Sequence, residues 1–136
     1  MNNLAVIQSL YAALARKDFA AAQALFAPDI EWIQAESLPN AARHVGPAAV
    51  MREVFDKYHE EWNDWQFTVH QFIDAGSTVV SLGEYSGVHR ETEQPMRAAF
   101  AHIYDLRDGK ITRFRQYADT ARIRDARPAH IKTRPF

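Results

Sequence analysis

The sequence contains no cysteine. That excludes disulfides and thiolate metal sites, and a reducing cytoplasm is the expected compartment. No apolar run approaches the roughly 18 residues of a membrane span. The start, Met1-Asn2-Asn3-Leu4, lacks the basic and apolar regions of a signal peptide. Only five glycines occur in 136 residues, with no Gly-rich phosphate loop and no Gly-x-Ser-x-Gly elbow, so nucleotide-dependent and serine-hydrolase chemistry are set aside. Six histidines are scattered without His-Glu-x-x-His or similar spacing, so neither a metal site nor a cofactor is expected. The net charge of -1 gives no reason to expect nucleic acid as a partner.

What is present is an ordinary globular chain, 47 % hydrophobic and 24 % charged, long enough for one core. Charge gathers at the end, where Arg122, Arg124, Arg127, Lys132 and Arg134 face only Asp125. Residues 122–136 therefore read as a basic, solvated tail behind a domain of residues 1–121, with a docking strip or lid as the alternative.

Asn2 or Asn3 can cap a first helix, along which Leu4, Ile7, Leu10, Tyr11 and Leu14 recur at helical spacing. Asp18 can cap a second, carrying Phe19, Ala22, Leu25 and Phe26 and ended by Pro28. A strand over 30–34 and an irregular stretch over 35–45 come next. Gly46-Pro47 opens a third helix with Val50, Met51, Val54, Phe55, Tyr58 and Trp62 on one face. The period then changes to two: Trp65, Phe67, Val69, Gln71 and Ile73 alternate with polar neighbours. Further strands are expected over 78–89, 96–106 and 111–119, with Asp108-Gly109 as a two-residue hairpin turn. Helices first and strands later indicate α+β, with the three N-terminal helices packed on a curved antiparallel sheet enclosing a pocket.

Several stretches carry a resemblance: Tyr11 to Phe19, Phe26 to Trp32, Val45 to Val50, and above all Ala101-His102-Ile103-Tyr104-Asp105-Leu106 with the hairpin that continues to Thr120. In these the chain resembles the SnoaL-like group of the cone-shaped nuclear-transport-factor-2-like superfamily, which includes the ketosteroid isomerases and limonene epoxide hydrolase. The resemblance implies a cofactor-independent enzyme using acid/base chemistry, of isomerase, cyclase or lyase type, on a small to medium apolar carbonyl compound. It also implies a homodimer formed through the sheet. A non-catalytic hydrophobic-ligand-binding or assembly module of the same fold is the alternative, since a fold does not fix a function.

His102 falls about where ketosteroid isomerases place an aspartic acid of the oxyanion hole, and could polarise an oxygen or share a proton. The plain alternative is a hydrogen-bonded core histidine. Asp119, at the end of the last strand, matches an acidic acid/base residue of the cyclases and the epoxide hydrolase, or else caps the next segment of the chain. Trp32, Gln34, Tyr85, Phe100, Tyr104 and Tyr117 are the expected ligand-binding residues. Gln34 occupies the isomerase base position, where a neutral amide cannot act as base. The isomerase's oxyanion tyrosine falls near Leu10, with Tyr11 expected to point elsewhere on the helix. These departures count against 3-oxosteroid isomerisation, and no second acid completes an epoxide hydrolase.

Overall fold

The computed structural model describes residues 1–35, 43–132 and 134. Helix α1 (Asn3–Ala15) starts where the Asn2 side chain accepts a hydrogen bond from the Ala5 N–H. Helix α2 (Phe19–Gln23) starts where Asp18 does the same for Ala21. Strand β1 (Phe26–Ile33) and the short β2 (Arg43–Val45) form an antiparallel pair. Pro28 therefore lies inside β1 rather than ending α2. It sits within the register break between Phe26 and Glu31, where a missing N–H does little harm. Part of the stretch expected to be irregular, 36–42, lies outside the described residues.

The expected third helix is a rod in three parts: α3 (Pro47–Val50), a π-helical turn (Met51–Phe55) and α4 (Asp56–Glu61). The expected strand starts earlier, as β3 (Trp62–Asp74), followed by β4 (Thr78–His89), β5 (Pro95–Arg107) and β6 (Lys110–Ala118). The turn between β5 and β6 has Asp108 at φ 53° and Gly109 at φ 74°, as a two-residue hairpin requires.

The sheet order is β2-β1-β6-β5-β4-β3. The last four strands form the expected antiparallel meander. The sheet as a whole is mixed, because β1 runs parallel to β6. No hairpin joins those two strands, so connection length did not force them antiparallel. The helices cover the concave face, and α1 alone buries Val6, Ile7, Leu10 and Leu14, each contributing about 1.5–3 kcal/mol.

The alternation expected along β3 holds only in part. Asp64 at φ 55° and a second register shift between Val69 and Gln71 insert extra residues. After that shift Phe72 packs against the core and Ile73 is 43 % exposed. At the same place β3 presses on Gly83, where an added Cβ would lie 2.1 Å from the Thr68 carbonyl oxygen. Gly83→Ala should therefore cost about 1–3 kcal/mol in urea unfolding, because backbone and not a movable side chain is in the way.

Where a solvated tail was expected beyond residue 121, the chain forms further helical structure over 120–126 and 129–131. Helix α5 (Thr120–Ala126) and a 3₁₀ turn (Ala129–Ile131) bury Ile123, Ala126, Arg127 and Ile131. The basic count concealed an apolar spacing of three, Ile123 to Ala126, that a helix needs to dock. Arg127, only 2 % exposed at its side chain, forms a two-point pair with Glu61 at 2.7 and 2.9 Å. Glu61 Oε2 also accepts from His89 Nε2 at 3.1 Å, since His89 Nδ1 is occupied by the Glu91 backbone N–H.

Candidate active site

Strand pairing decides which side chains meet. On β5, Phe100, His102 and Tyr104 all face the core, and on β4 so do Ser81 and Tyr85. His102 is 1 % exposed, stacked on Phe100 at 3.8 Å between ring centroids, and bonded at both nitrogens. Nε2 meets the Tyr85 hydroxyl at 2.5 Å, and Nδ1 meets the Tyr11 hydroxyl at 2.6 Å.

Tyr11 thus points at His102, contrary to the expectation that it points elsewhere. Leu10 and Tyr11 differ by about 100° around α1, but the buried arc is wide enough to admit both. The Tyr11 hydroxyl also meets Ser81 Oγ at 2.5 Å and the Tyr104 hydroxyl at 2.8 Å. On the other side Tyr85 accepts from Gln116 Nε2 at 2.9 Å. Gln116 Oε1 in turn accepts the Ala35 N–H at 2.9 Å, which fixes the orientation of that amide. The Tyr58 ring lies 6.3 Å from that of Tyr85, between ring centroids. A polar chain therefore crosses the aromatic core from Ser81 and Tyr104 through Tyr11, His102 and Tyr85 to Gln116 and the Ala35 N–H.

Burial holds the phenols of Tyr11, Tyr58, Tyr85 and Tyr104 well above the usual tyrosine pKa, so all are neutral donors. Burial also pushes His102 well below 6.5, so its imidazole is neutral. The unfolded chain protonates this histidine near pH 6.5 while the folded chain does not. Folding then excludes a proton, and stability falls as pH drops below about 6.5, by about 1.4 kcal/mol per unit until the folded-state pKa is reached. Urea titrations between about pH 5 and 7 should show a slope one proton shallower in His102→Gln than in the wild-type chain.

His102 lines neither of two cavities that lie between the described residues. The larger, about 580 Å³, is bounded by Gln34 and His44, by Val54, Tyr58 and Glu61 of the helical rod, by His89, and by Arg127 and Ile131 of the C-terminal segment. A smaller one, about 230 Å³, lies between α1 and β3 beside Tyr11, Phe55, His59 and Phe67. Tyr58 and Gln34 both line the larger cavity.

His44 enters the site because it pairs directly with Trp32 across β1 and β2, which puts both side chains on one face. Its Nε2–H donates to Gln34 Oε1 at 3.3 Å, leaving Nδ1 with a lone pair. Partial burial lowers its pKa, outweighing the opposite pull of Glu53, so His44 is an unprotonated base at neutral pH.

Of the other expected site residues, Tyr85, Phe100 and Tyr104 surround His102. Gln34 faces the larger cavity. Trp32 is core, stacked on Phe114 at 3.7 Å and 3 % exposed. Tyr117 is 55 % exposed on the outer face, because Phe114 and Gln116 take the inward positions of β6. Asp119 is exposed at the N-cap of α5, accepting from the Arg122 N–H and pairing with the Arg122 guanidinium. The structure does not bring Asp119 to His102. Tyr11, His44, Tyr58 and Gln116 were not anticipated as site residues. Gln116 carries the clearest signal in the sequence, a polar residue at an inward position beside Tyr117.

Residues 7–114 match the sequence profile of the SnoaL-like domain. The chain belongs to the SnoaL-like family. Its fold matches an NTF2-like protein from Burkholderia thailandensis E264 at TM-score 0.89 and 34 % identity, over 94 % of this chain and 99 % of that one. An NTF2-like protein from Burkholderia xenovorans LB400 is 26 % identical at TM-score 0.75, over 91 % and 94 % of the two chains. TerC, co-crystallised with polyporic acid, is 23 % identical at TM-score 0.80, over 91 % and 96 %, a likeness that shows the fold alone. No curated protein matches. Among the described residues no helix of this SnoaL-like chain is long and apolar enough to cross a membrane.

Proposed function

We propose that this SnoaL-like chain is a cofactor-independent enzyme that moves a proton next to the carbonyl of a small to medium, largely apolar compound. One observation carries the reading: the larger cavity is lined by Tyr58 together with Gln34 and an unprotonated His44. Tyr58 donates a hydrogen bond to the carbonyl oxygen as negative charge develops there, and His44 Nδ1 takes the proton from the adjacent carbon. Gln34 holds the His44 ring. The apolar part of the substrate rests on Val54 and Ile131. Asp119 has no part, because its carboxylate is committed to α5.

The test is deuterium exchange at the α-carbon of a plain ketone, 1-indanone, followed by NMR in D₂O. Exchange above the buffer rate supports the reading, and exchange at the buffer rate removes it. The second reading, a non-catalytic binding module, is favoured by the packing of aromatic rings around His102, which does not line the larger cavity. Binding of the ketone without exchange selects it.

The same chain is proposed to pair with a second copy through the outer sheet face. There Val80 lies opposite Ile103, Leu82 opposite Ala101, and Ala101 opposite Tyr117. Sedimentation at micromolar concentration should give a dimer, and Tyr117→Lys should shift it to monomer. A wild-type monomer would remove the proposal.

A further inference from the structure

The larger cavity has a charged rim, and pairing off its charges leaves a remainder. Each acid that lines it is already engaged. Glu61 is held by Arg127 at 2.7 Å, Glu60 by Lys57 at 3.6 Å and Glu91 by His130 at 2.8 Å. Glu53 is held at 2.9 Å by Arg52, which does not itself line the cavity. Two lining cations, Arg90 and Arg134, have no carboxylate partner among the described residues.

Both residues are anchored close to the end of α4. The Arg90 N–H donates to the Glu61 carbonyl at 3.0 Å. Its Nε and Nη2 donate to the His59 carbonyl at 3.1 and 2.8 Å, which fixes the guanidinium and leaves Nη1 for a further acceptor. The Arg134 N–H donates to the Ile131 carbonyl at 3.2 Å, and its own carbonyl accepts from Nη1 of Arg127, the arginine that holds Glu61, at 2.6 Å. Tyr58 precedes Glu61 by three residues on α4, about 4.5 Å along the axis and on a neighbouring part of the helix surface.

The geometry points to a substrate with two handles: a carbonyl at Tyr58 and His44, and a carboxylate a few bonds away at Arg90 and Arg134. The substrate class thus narrows from a ketone to a keto acid. A guanidinium stays charged at every working pH and matches a planar carboxylate in shape. The same excess of cations works against a substrate that carries an amine. This class rests on the reading of the larger cavity as the place where the ketone binds.

The test titrates the full chain with 1-indanone, with 1-oxoindane-5-carboxylate and with the methyl ester of that acid, which keeps its size but not its charge. At low salt the acid should bind about tenfold more tightly than the ester. The preference should shrink in about 0.5 M NaCl, because the rim is open to solvent. Arg134→Gln should cut the preference several-fold, and Arg90→Gln added to it should remove the rest. Arg90→Gln also loses the contacts to the His59 carbonyl, so Arg134→Gln alone must lower the preference for the inference to stand. Equal binding of acid and ester, or a preference unchanged by Arg134→Gln, overturns it. The α-hydrogen exchange of 1-indanone separates this failure from that of the reading beneath. Exchange with equal binding of acid and ester removes the keto acid class alone. A preference for the acid without exchange of any ligand removes the proton-transfer reading and keeps the anion site. No binding of any of the three compounds overturns both.

Discussion

His44→Ala should slow ketone α-exchange by about 10²–10⁴-fold, the usual worth of a positioned general base. The residue meets the requirements for that role at neutral pH. Its burial lowers the pKa, Gln34 Oε1 fixes which nitrogen holds the hydrogen, and the other nitrogen keeps its lone pair. Tyr58→Phe should lose less, because Gln34 still offers an amide beside the oxygen. The two changes separate by pH. The wild-type rate should fall on acidification as His44 takes up a proton, below the ordinary histidine value because the folded pKa is depressed. Tyr58→Phe should keep that pH dependence at a lower rate, and His44→Ala should abolish it. A His44→Ala chain that exchanges at the wild-type rate would show that the base lies elsewhere.

The sequence made the fold legible through its change of period. The meander boundaries at Thr78 and His89 fall where alternation begins and ends, because that sheet has one buried face and one open face. The parallel pairing of β1 with β6 was not legible, since it depends on where a strand lands after the helices rather than on any local signal. The site divides in the same way. His102 stands out as a polar residue in an apolar strand. His44 does not, because its placement depends on the register that sets it opposite Trp32. Asp119 illustrates the opposite error: an acid at the end of a strand reads equally as base or cap, and only the start of α5 decides. Tyr11 was set aside by a one-residue offset, yet a long side chain on a wide buried arc reaches the same place.

Glu61→Ala should destabilise the chain by about 3–5 kcal/mol, as expected when one partner of a buried ion pair is removed. Arg127, at 3 % exposure, would lose the Glu61 carboxylate, and His89 Nε2–H would lose the same acceptor. Removing the other partner should cost less. Arg127→Met leaves Glu61, whose side chain is 20 % exposed and borders the larger cavity, where water can solvate the carboxylate. The double change Glu61→Leu with Arg127→Met should then be milder than the sum of the two, because both charges of the pair are removed together. Urea unfolding of the four chains measures this directly, and an additive cycle would show that the pair is not coupled. The same clamp shapes the site. Arg127 and Ile131 form one wall of the larger cavity, so the Glu61→Ala chain should be cut within residues 120–134 by a protease that spares the wild type. Ketone binding should weaken in step with that cleavage, because the Glu61–Arg127 pair helps hold the cavity wall to the domain.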